Sequence, residues 1–282
     1  MAYNGIEYIS GQGIHYPLQG HFLQIKDTNF HEYSYDLMSI QLETGDLLQG
    51  FRKKATTIPI QLAFTGSLAR REHMIQELHR AFTKDRIELN PGMILFNGWQ
   101  LKGFMISEKV YPDRDNESTL NDVSFYAPVP YWEKEERFHF YKNSEIAIET
   151  QTGDYPFEYQ ELDYNRDKKG IARFTNPSGA PADYLLRVYG PINYPKIEIN
   201  RREISVRTLL EAGEYLEIDS RNRTVITTRL KGDKVNQFHF RDLEHDIFQM
   251  IDPGQNDVTW NGNFEMDLYL RYRRDYPEWE DL

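Results

Sequence analysis

Residues 174–226, FTNPSGAPADYLLRVYGPINYPKIEINRREISVRTLLEAGEYLEIDSRNRTVI, decide the fold class. Asn176-Pro177-Ser178-Gly179 and Ala180-Pro181 are turn material, because Pro fixes φ while Gly and Asn accept the conformations that reverse a chain. Tyr184 to Tyr189 is a run of large apolar residues with Arg187 inside it, closed by Gly190-Pro191. Lys196 to Asn200 alternates polar with apolar at Ile197 and Ile199. Tyr215-Leu216-Glu217-Ile218 alternates again and stops at Asp219-Ser220, and Thr224 to Arg229 starts the next run. A period of two sends successive side chains to opposite faces of a strand. Short alternating runs with regular turn punctuation predict an antiparallel β-sandwich. No catalytic residue type falls at a meaningful spacing within the stretch.

The same period recurs towards the N-terminus. Phe22 to Ile25, Leu37 to Leu42 and Ile58 to Phe64 read as strands. Ile58, Ile60, Leu62 and Phe64 share one face, and Pro59 suggests an edge or strand-initial position because proline cannot donate to a ladder. Residues 67–84 are the one convincing helix: Ser67 can cap it, and Leu68, Ile75, Leu78 and Phe82 recur at helical spacing with Met74 and Ala81. Asn90-Pro91-Gly92 turns the chain. Met93 to Phe96 and Gly103 to Ile106 then flank Asn97-Gly98, a strong hairpin signal. Residues 258–273 read as one long final strand, with Trp260, Phe264, Met266, Leu268 and Leu270 on one face and Tyr269 and Arg271 on the other. Glu133 to Arg137, Thr152-Gly153-Asp154 and Tyr164 to Gly170 are polar or turn-like, which places a domain boundary near residue 145.

The order of these pieces resembles a known family. Asn176-Pro177, Gly179, Ala180-Pro181, Tyr189-Gly190-Pro191, Gly213-Glu214, Leu216, Ile218-Asp219-Ser220, Arg223 and Val225 occur in the order seen in the C-terminal half of siphophage distal tail (Dit) proteins. Ile251 to Trp260 (IDPGQNDVTW) looks like that family's Gly-x-Asn-x-x-x-Trp turn, and Phe125 to Trp132 (FYAPVPYW) resembles the segment that closes its first domain. The resemblance covers most of the chain and rests on the order of several weak motifs. It implies a mainly β chain with one α-helix. Residues 1–145 would form a β-barrel or sandwich domain with helix 67–84 packed on it, and residues 146–282 a galectin-like β-sandwich. It further implies a virion protein at the distal end of a long non-contractile tail, assembled in the host cytoplasm. Six copies would form a ring through the first domain, linking the tail tube protein to the tail-tip hub protein and scaffolding adsorption, with a receptor-binding protein as a further partner.

Composition agrees. Of 282 residues, 14% are aromatic, including 19 Tyr and 16 Phe, which supply core volume and contact area. Mean hydropathy is −0.69. No run approaches ~18 apolar residues, so no membrane-crossing helix is expected, and MAYNGIEYIS lacks the pattern of a secretory signal. The formal net charge of −11 disfavours non-specific nucleic-acid binding. Arg52-Lys53-Lys54, Arg201-Arg202 and Arg271 to Arg274 are the local basic candidates, read as solvated or ion-paired faces.

Chemistry is scarce. The chain has no Cys, so it offers no thiol nucleophile and no Cys-based zinc site, and redox compartment should not matter to it. Gly-x-Ser-x-Gly and Walker loops are missing. Its eight His (His15, His21, His31, His73, His79, His139, His239, His245) form no metal-binding spacing. Asp113, Asp115 and Glu117 alternate but lack the rest of an EF-hand loop, so a solvated loop is expected. The sequence thus nominates no catalytic, cofactor-binding or metal-ligating residue, and no enzymatic activity is expected. A carbohydrate-binding module is the alternative reading, given the family's galectin-like sandwich. None of Trp99, Trp132, Trp260 and Trp279 lies within 174–226, which weakens that alternative, while Trp260 on a neighbouring strand keeps it open. The aromatic-flanked His239 in Phe238-His239-Phe240 reads as a sugar platform or, more simply, as a satisfied β-strand histidine. Tyr184, Tyr189, Tyr194 and Tyr215 are assigned to core and interface packing, since no polar cluster is recognisable beside them.

Overall fold

A computed structural model describes residues 5–113, 117–142 and 170–278. It is mainly antiparallel β with a single α-helix. The chain divides into two compact units. One comprises Met1–Lys134 with Arg273–Leu282, the other Glu135–Tyr272. The expected boundary near residue 145 lies outside the described residues, as do the turns at 152–154 and most of 164–170.

The first unit contains β1 (Glu7–Ile9), β2 (His15–Pro17), β3 (Leu23–Thr28), β4 (Tyr35–Leu42), β5 (Gly45–Lys53), β6 (Thr56–Thr65), α1 (Leu68–Glu88), β7 (Gly92–Phe96), β8 (Trp99–Pro112), β9 (Ser118–Ala127) and the start of β10 (Trp132–Phe140). Strand β8 belongs to two sheets. Its first half pairs with β7, which continues to β1 and β2; its second half pairs with β9, which continues to β6 and β3. Gly103 lies where β8 passes from one sheet to the other. A Cβ there would come 2.2 Å from the Tyr126 carbonyl oxygen, so only glycine fits. The Asn97-Gly98 turn joins β7 to β8 directly, with φ of 51° and 77° and Phe96 paired to Trp99.

Strand β6 buries Ile58, Ile60, Leu62 and Phe64, as its alternation requires. It is not an edge strand, since β3 and β9 flank it. Pro59 is tolerated because pairing with β3 ends at Ile60, leaving only β9 beside it. Helix α1 starts on its Ser67 cap and runs one turn past the expected end, to an αL residue at Leu89. Leu78, Ala81 and Phe82 are buried, and the Phe82 ring meets that of Tyr8 edge-on at 5.0 Å. Leu68 departs from the expected stripe and is 61% exposed. Asp85, on the buried face instead, accepts from the Tyr8 hydroxyl at 2.5 Å and the Gly11 amide at 3.0 Å. Burial, then that carboxylate, raises the Tyr8 pKa far above the tyrosine range.

The second unit holds β11 (Gly170–Asn176), β12 (Asp183–Tyr189), β13 (Ile192–Asn193), β14 (Lys196–Ile199), β15 (Arg202–Ser205), β16 (Leu209–Leu210), β17 (Tyr215–Asp219), β18 (Thr224–Thr228), β19 (Lys234–Asn236), β20 (Gly254–Trp260) and β21 (Met266–Arg274). One sheet has the order β19-β18-β17-β12-β21, the other β11-β20-β14-β15. Tyr184, Leu186, Val188, Leu216, Ile218, Val225, Met266, Leu268 and Leu270 are buried from the first, and Phe174, Ile197, Ile199, Val258 and Trp260 from the second. The strands expected from 174–226 all form. Two expectations fail. The final run 258–273 is not one strand: Asn261-Gly262-Asn263 interrupts it, Gly262 has φ 74°, and the two halves lie in different sheets. Residues 254–260 are strand rather than turn, with Gly254 only opening it and Asn256 fully buried, its amide donating to the Asp252 and Gly254 carbonyls.

Candidate assembly interface

Among the described residues, strands β4 and β5 pair only with each other. An isolated two-stranded hairpin is marginal in water, so its root has to be fixed. Lys53 does this: its side chain is 4% exposed, and its Nζ lies 2.7 Å from Asp275 Oδ1. The Tyr35 hydroxyl donates to the same oxygen at 2.7 Å. Desolvation, then that hydrogen bond, pushes the Tyr35 pKa above its ordinary value. The Lys53 ammonium also sits over the rings of Tyr131 at 4.6 Å, Tyr33 at 5.6 Å and Tyr35 at 5.8 Å. Tyr33 stacks on Tyr276.

Beyond the root the hairpin is apolar on both faces. Register places Leu37 opposite Phe51 and Ser39 opposite Leu48 on one face; Met38, the Ile40–Leu47 pair and Leu42 occupy the other. None of these apolar side chains is buried, and Leu37 and Phe51 are 68% and 62% exposed. Contiguous apolar surface of this kind marks an interaction site, and the unpaired strand edges add free backbone donors and acceptors. The expected strand at 37–42 is therefore present, but its apolar side chains join no core among the described residues.

The second unit presents a different surface. Along the outer face of its five-stranded sheet, Arg187 stands opposite Glu217 on one side and Asp267 on the other. Arg187 pairs with Glu217 at 2.7 Å. Asp267 is fully buried, and receives Arg137 at 2.8 and 3.0 Å, the Tyr189 hydroxyl at 2.6 Å and His139 Nδ1 at 2.6 Å. Burial acts to raise its pKa, but these three partners outweigh burial and hold it at about 2. Tyr215 and Tyr269 flank the row, with the Arg187 guanidinium 5.0 and 5.6 Å from their rings. A polar cluster thus does stand beside Tyr189 and Tyr215, contrary to the sequence expectation. Its members come from four strands and share no local spacing. Of the other assigned tyrosines, Tyr184 is core and Tyr194 is 40% exposed.

The remaining sequence candidates separate cleanly. Trp99, Trp132 and Trp260 are buried, and Trp260 donates from Nε1 to the Phe264 carbonyl at 3.3 Å; Trp279 lies outside the described residues. Phe238-His239-Phe240 is a 3₁₀ turn, not a strand, with Phe238 stacked on Phe248. Lys54 pairs with Asp36, Arg271 with Glu135 and Asp219, Arg273 with Glu133 and Arg274 with Glu278, while Arg202 donates to the Met250 carbonyl at 3.1 Å. Asp113 accepts from Ser118 Oγ at 2.9 Å, and Asp115 lies outside the described residues. Among the described residues, no group of three or more His, Asp or Glu side chains is placed to hold a metal ion, and no helix is long and apolar enough to cross a membrane.

No family model matches the chain, and no curated protein does. Solved structures do. The Dit protein of phage SPP1, described as a paradigm of the hub adsorption apparatus in phages infecting Gram-positive bacteria, superposes with a TM-score of 0.61 at 9% identity, over 95% of this chain and 99% of that one. A chain of the phage P2 baseplate in its activated, calcium-bound conformation gives 0.58 at 11% identity, over 96% and 99%. The strontium-bound form of that baseplate gives 0.56 at 12% identity over the same shares. The fold of this chain is similar to that of these hub and baseplate proteins over nearly its whole length.

Proposed function

We propose that this chain is a structural virion protein of a long non-contractile phage tail. In this reading it forms a hexameric ring at the distal tip, joining the tail tube to the tail-tip hub protein and scaffolding the adsorption apparatus. The observation that carries the reading is the β4–β5 arm: a rooted hairpin, apolar on both faces, inside a fold shared over nearly its whole length with hub and baseplate proteins. Ring closure is heterologous, so each copy uses two different patches. The two-domain division, residues 1–145 for the ring and a galectin-like 146–282, belongs to the same proposal. No catalysis, cofactor or metal is needed. An acidic surplus, net −11, suits a conduit that must not hold passing nucleic acid. Native mass spectrometry tests the reading: a six-copy species is expected, and monomer at every concentration, with and without the tail-tube protein, refutes it.

A second reading has one observation in its favour. The Arg187–Glu217–Asp267–Arg137 row beside Tyr189, Tyr215 and Tyr269 offers fixed polar groups next to aromatic rings, which is what a sugar site requires. A glycan array with the full chain decides it: saturable binding lost in Tyr215→Ala supports the lectin reading, and no binding leaves the scaffold reading alone.

A further inference from the structure

The first unit carries a second feature left open by the described residues. Between the outer flank of α1 and the distal half of β8 run two adjoining clefts, of about 290 and 500 Å³, that share Ile75, Gln76 and Val110. Leu68 and Pro112 close one end, and His79 and Arg80 the other. Leu68 and Val110 are 61% and 47% exposed. From Leu68 to Arg80 the helix advances about 18 Å at 1.5 Å per residue.

We infer that this groove receives the tip half of the β4–β5 arm of a second copy. The inference rests on the ring reading and deepens it by naming the acceptor patch. Size fits first. The apolar face formed by Met38, Ile40, Leu42 and Leu47 covers about 14 Å from Met38 to Leu42 at ~3.4 Å per residue, which the groove accommodates. Charge fits next, and it sets a direction. The arm is acidic at its tip (Glu43, Asp46) and basic towards its root (Arg52). The groove is acidic at the Leu68 end (Glu72); at the other end Arg80 stands beside Glu108, whose carboxylate is already engaged by His79 at 2.6 Å and by the Asn121 amide at 2.8 Å. The tip therefore lies at Arg80 and the root side at Glu72, and the reverse orientation sets like charges together. Geometry fits last. Arm and groove are different patches, so each copy gives one and receives one, which propagates around a ring instead of stopping at a two-fold dimer. Burying only the tip face leaves Leu37, Leu48 and Phe51 on the opposite face for a further neighbour.

The chain has no cysteine, so introduced thiols report without background. Leu47→Cys and Val110→Cys replace exposed side chains, one on the arm and one in the groove. Cβ atoms must approach within about 4.5 Å to bridge. The double variant, oxidised with copper–phenanthroline in air at a concentration where light scattering shows assembly, is expected to give a ladder of linked copies. A mixture of the two single variants is expected to stop at linked pairs. Arg80→Glu should weaken assembly about 3-fold, the scale of one exposed ion pair, and Asp46→Arg in the same chain should restore it. Assembly without the 47–110 bridge overturns this acceptor site and leaves the ring reading standing. Equal cross-linking of Leu47→Cys to itself overturns it in favour of arm-to-arm contact. Monomer at every concentration, with no bridge, overturns both.

Discussion

Two antiparallel hairpins have opposite fates. In β17–β18, Leu216, Ile218, Val225 and Thr227 point inward and are buried, while Tyr215, Glu217 and Thr224 face outward. In β4–β5 the apolar residues occupy both faces, and all of them are exposed. Strict alternation satisfies a strand with one covered face, and the chain itself supplies the cover. Apolar residues on both faces need two covers, and the described residues of the first unit supply none. The difference teaches where each hairpin completes its burial: one within the chain, the other against neighbours.

Moving the same charge between the two hairpins breaks or sharpens that contrast. Ile218→Asp buries a carboxylate without a partner and should cost about 4 kcal/mol or more, enough to unfold the second unit; urea unfolding followed by tyrosine and tryptophan fluorescence reads it. If Ile218→Asp costs under 1 kcal/mol, the inner face is not the core described here. Leu78→Asp, on the buried side of α1, should cost the first unit roughly 3 kcal/mol by the same argument.

The arm's root comes next. Lys53→Met keeps the stem but leaves Asp275 and the tyrosine cluster without their cation, at an expected cost of about 2 kcal/mol. Hydrogen exchange should quicken in β4 and β5 alone. Protection lost equally across β6 and β9 would mean that the hairpin is part of the sandwich rather than an appendage.

A smaller effect follows from the outer face of the second unit. Asp267 is held at about 2, below the unfolded carboxylate range. A depressed carboxylate adds stability that is complete above the unfolded pKa near 4 and is lost as pH falls through the folded value. Stability of the second unit should therefore decline between pH 4 and 2, by about 1–2 kcal/mol once solvent around the half-exposed Arg137 is allowed for. Asp267→Asn should flatten that part of the profile; an unchanged slope refutes the assignment. Least of all should Ile40→Asp disturb the monomer, by under about 0.5 kcal/mol, although it should raise the dissociation constant of the oligomer at least 10-fold. A monomer destabilised as much as by Ile218→Asp would erase the contrast between the two hairpins.

Much of the fold follows from local pattern. Alternation at 58–64, 184–189, 196–200 and 215–218, the Asn97-Gly98 turn and the Ser67 cap each act through neighbours a few residues away. That is why the sequence by itself determined strands, turns, the helix and an all-β class. Pairing partners do not travel with the local pattern. Whether 258–273 continued or broke depended on Trp260 and Met266 entering different sheets, and Pro59 was acceptable only because β3 stops short of it. The polar row at Arg137, Arg187, Glu217 and Asp267 draws on residues as much as 130 positions apart, and Asp85 finds Tyr8 across 77. Most of all, Leu37 to Leu42 reads as an ordinary strand until the tertiary structure shows that, among the described residues, it pairs with β5 alone. Exposure is a property of what surrounds a residue, and only the folded chain determines the surroundings.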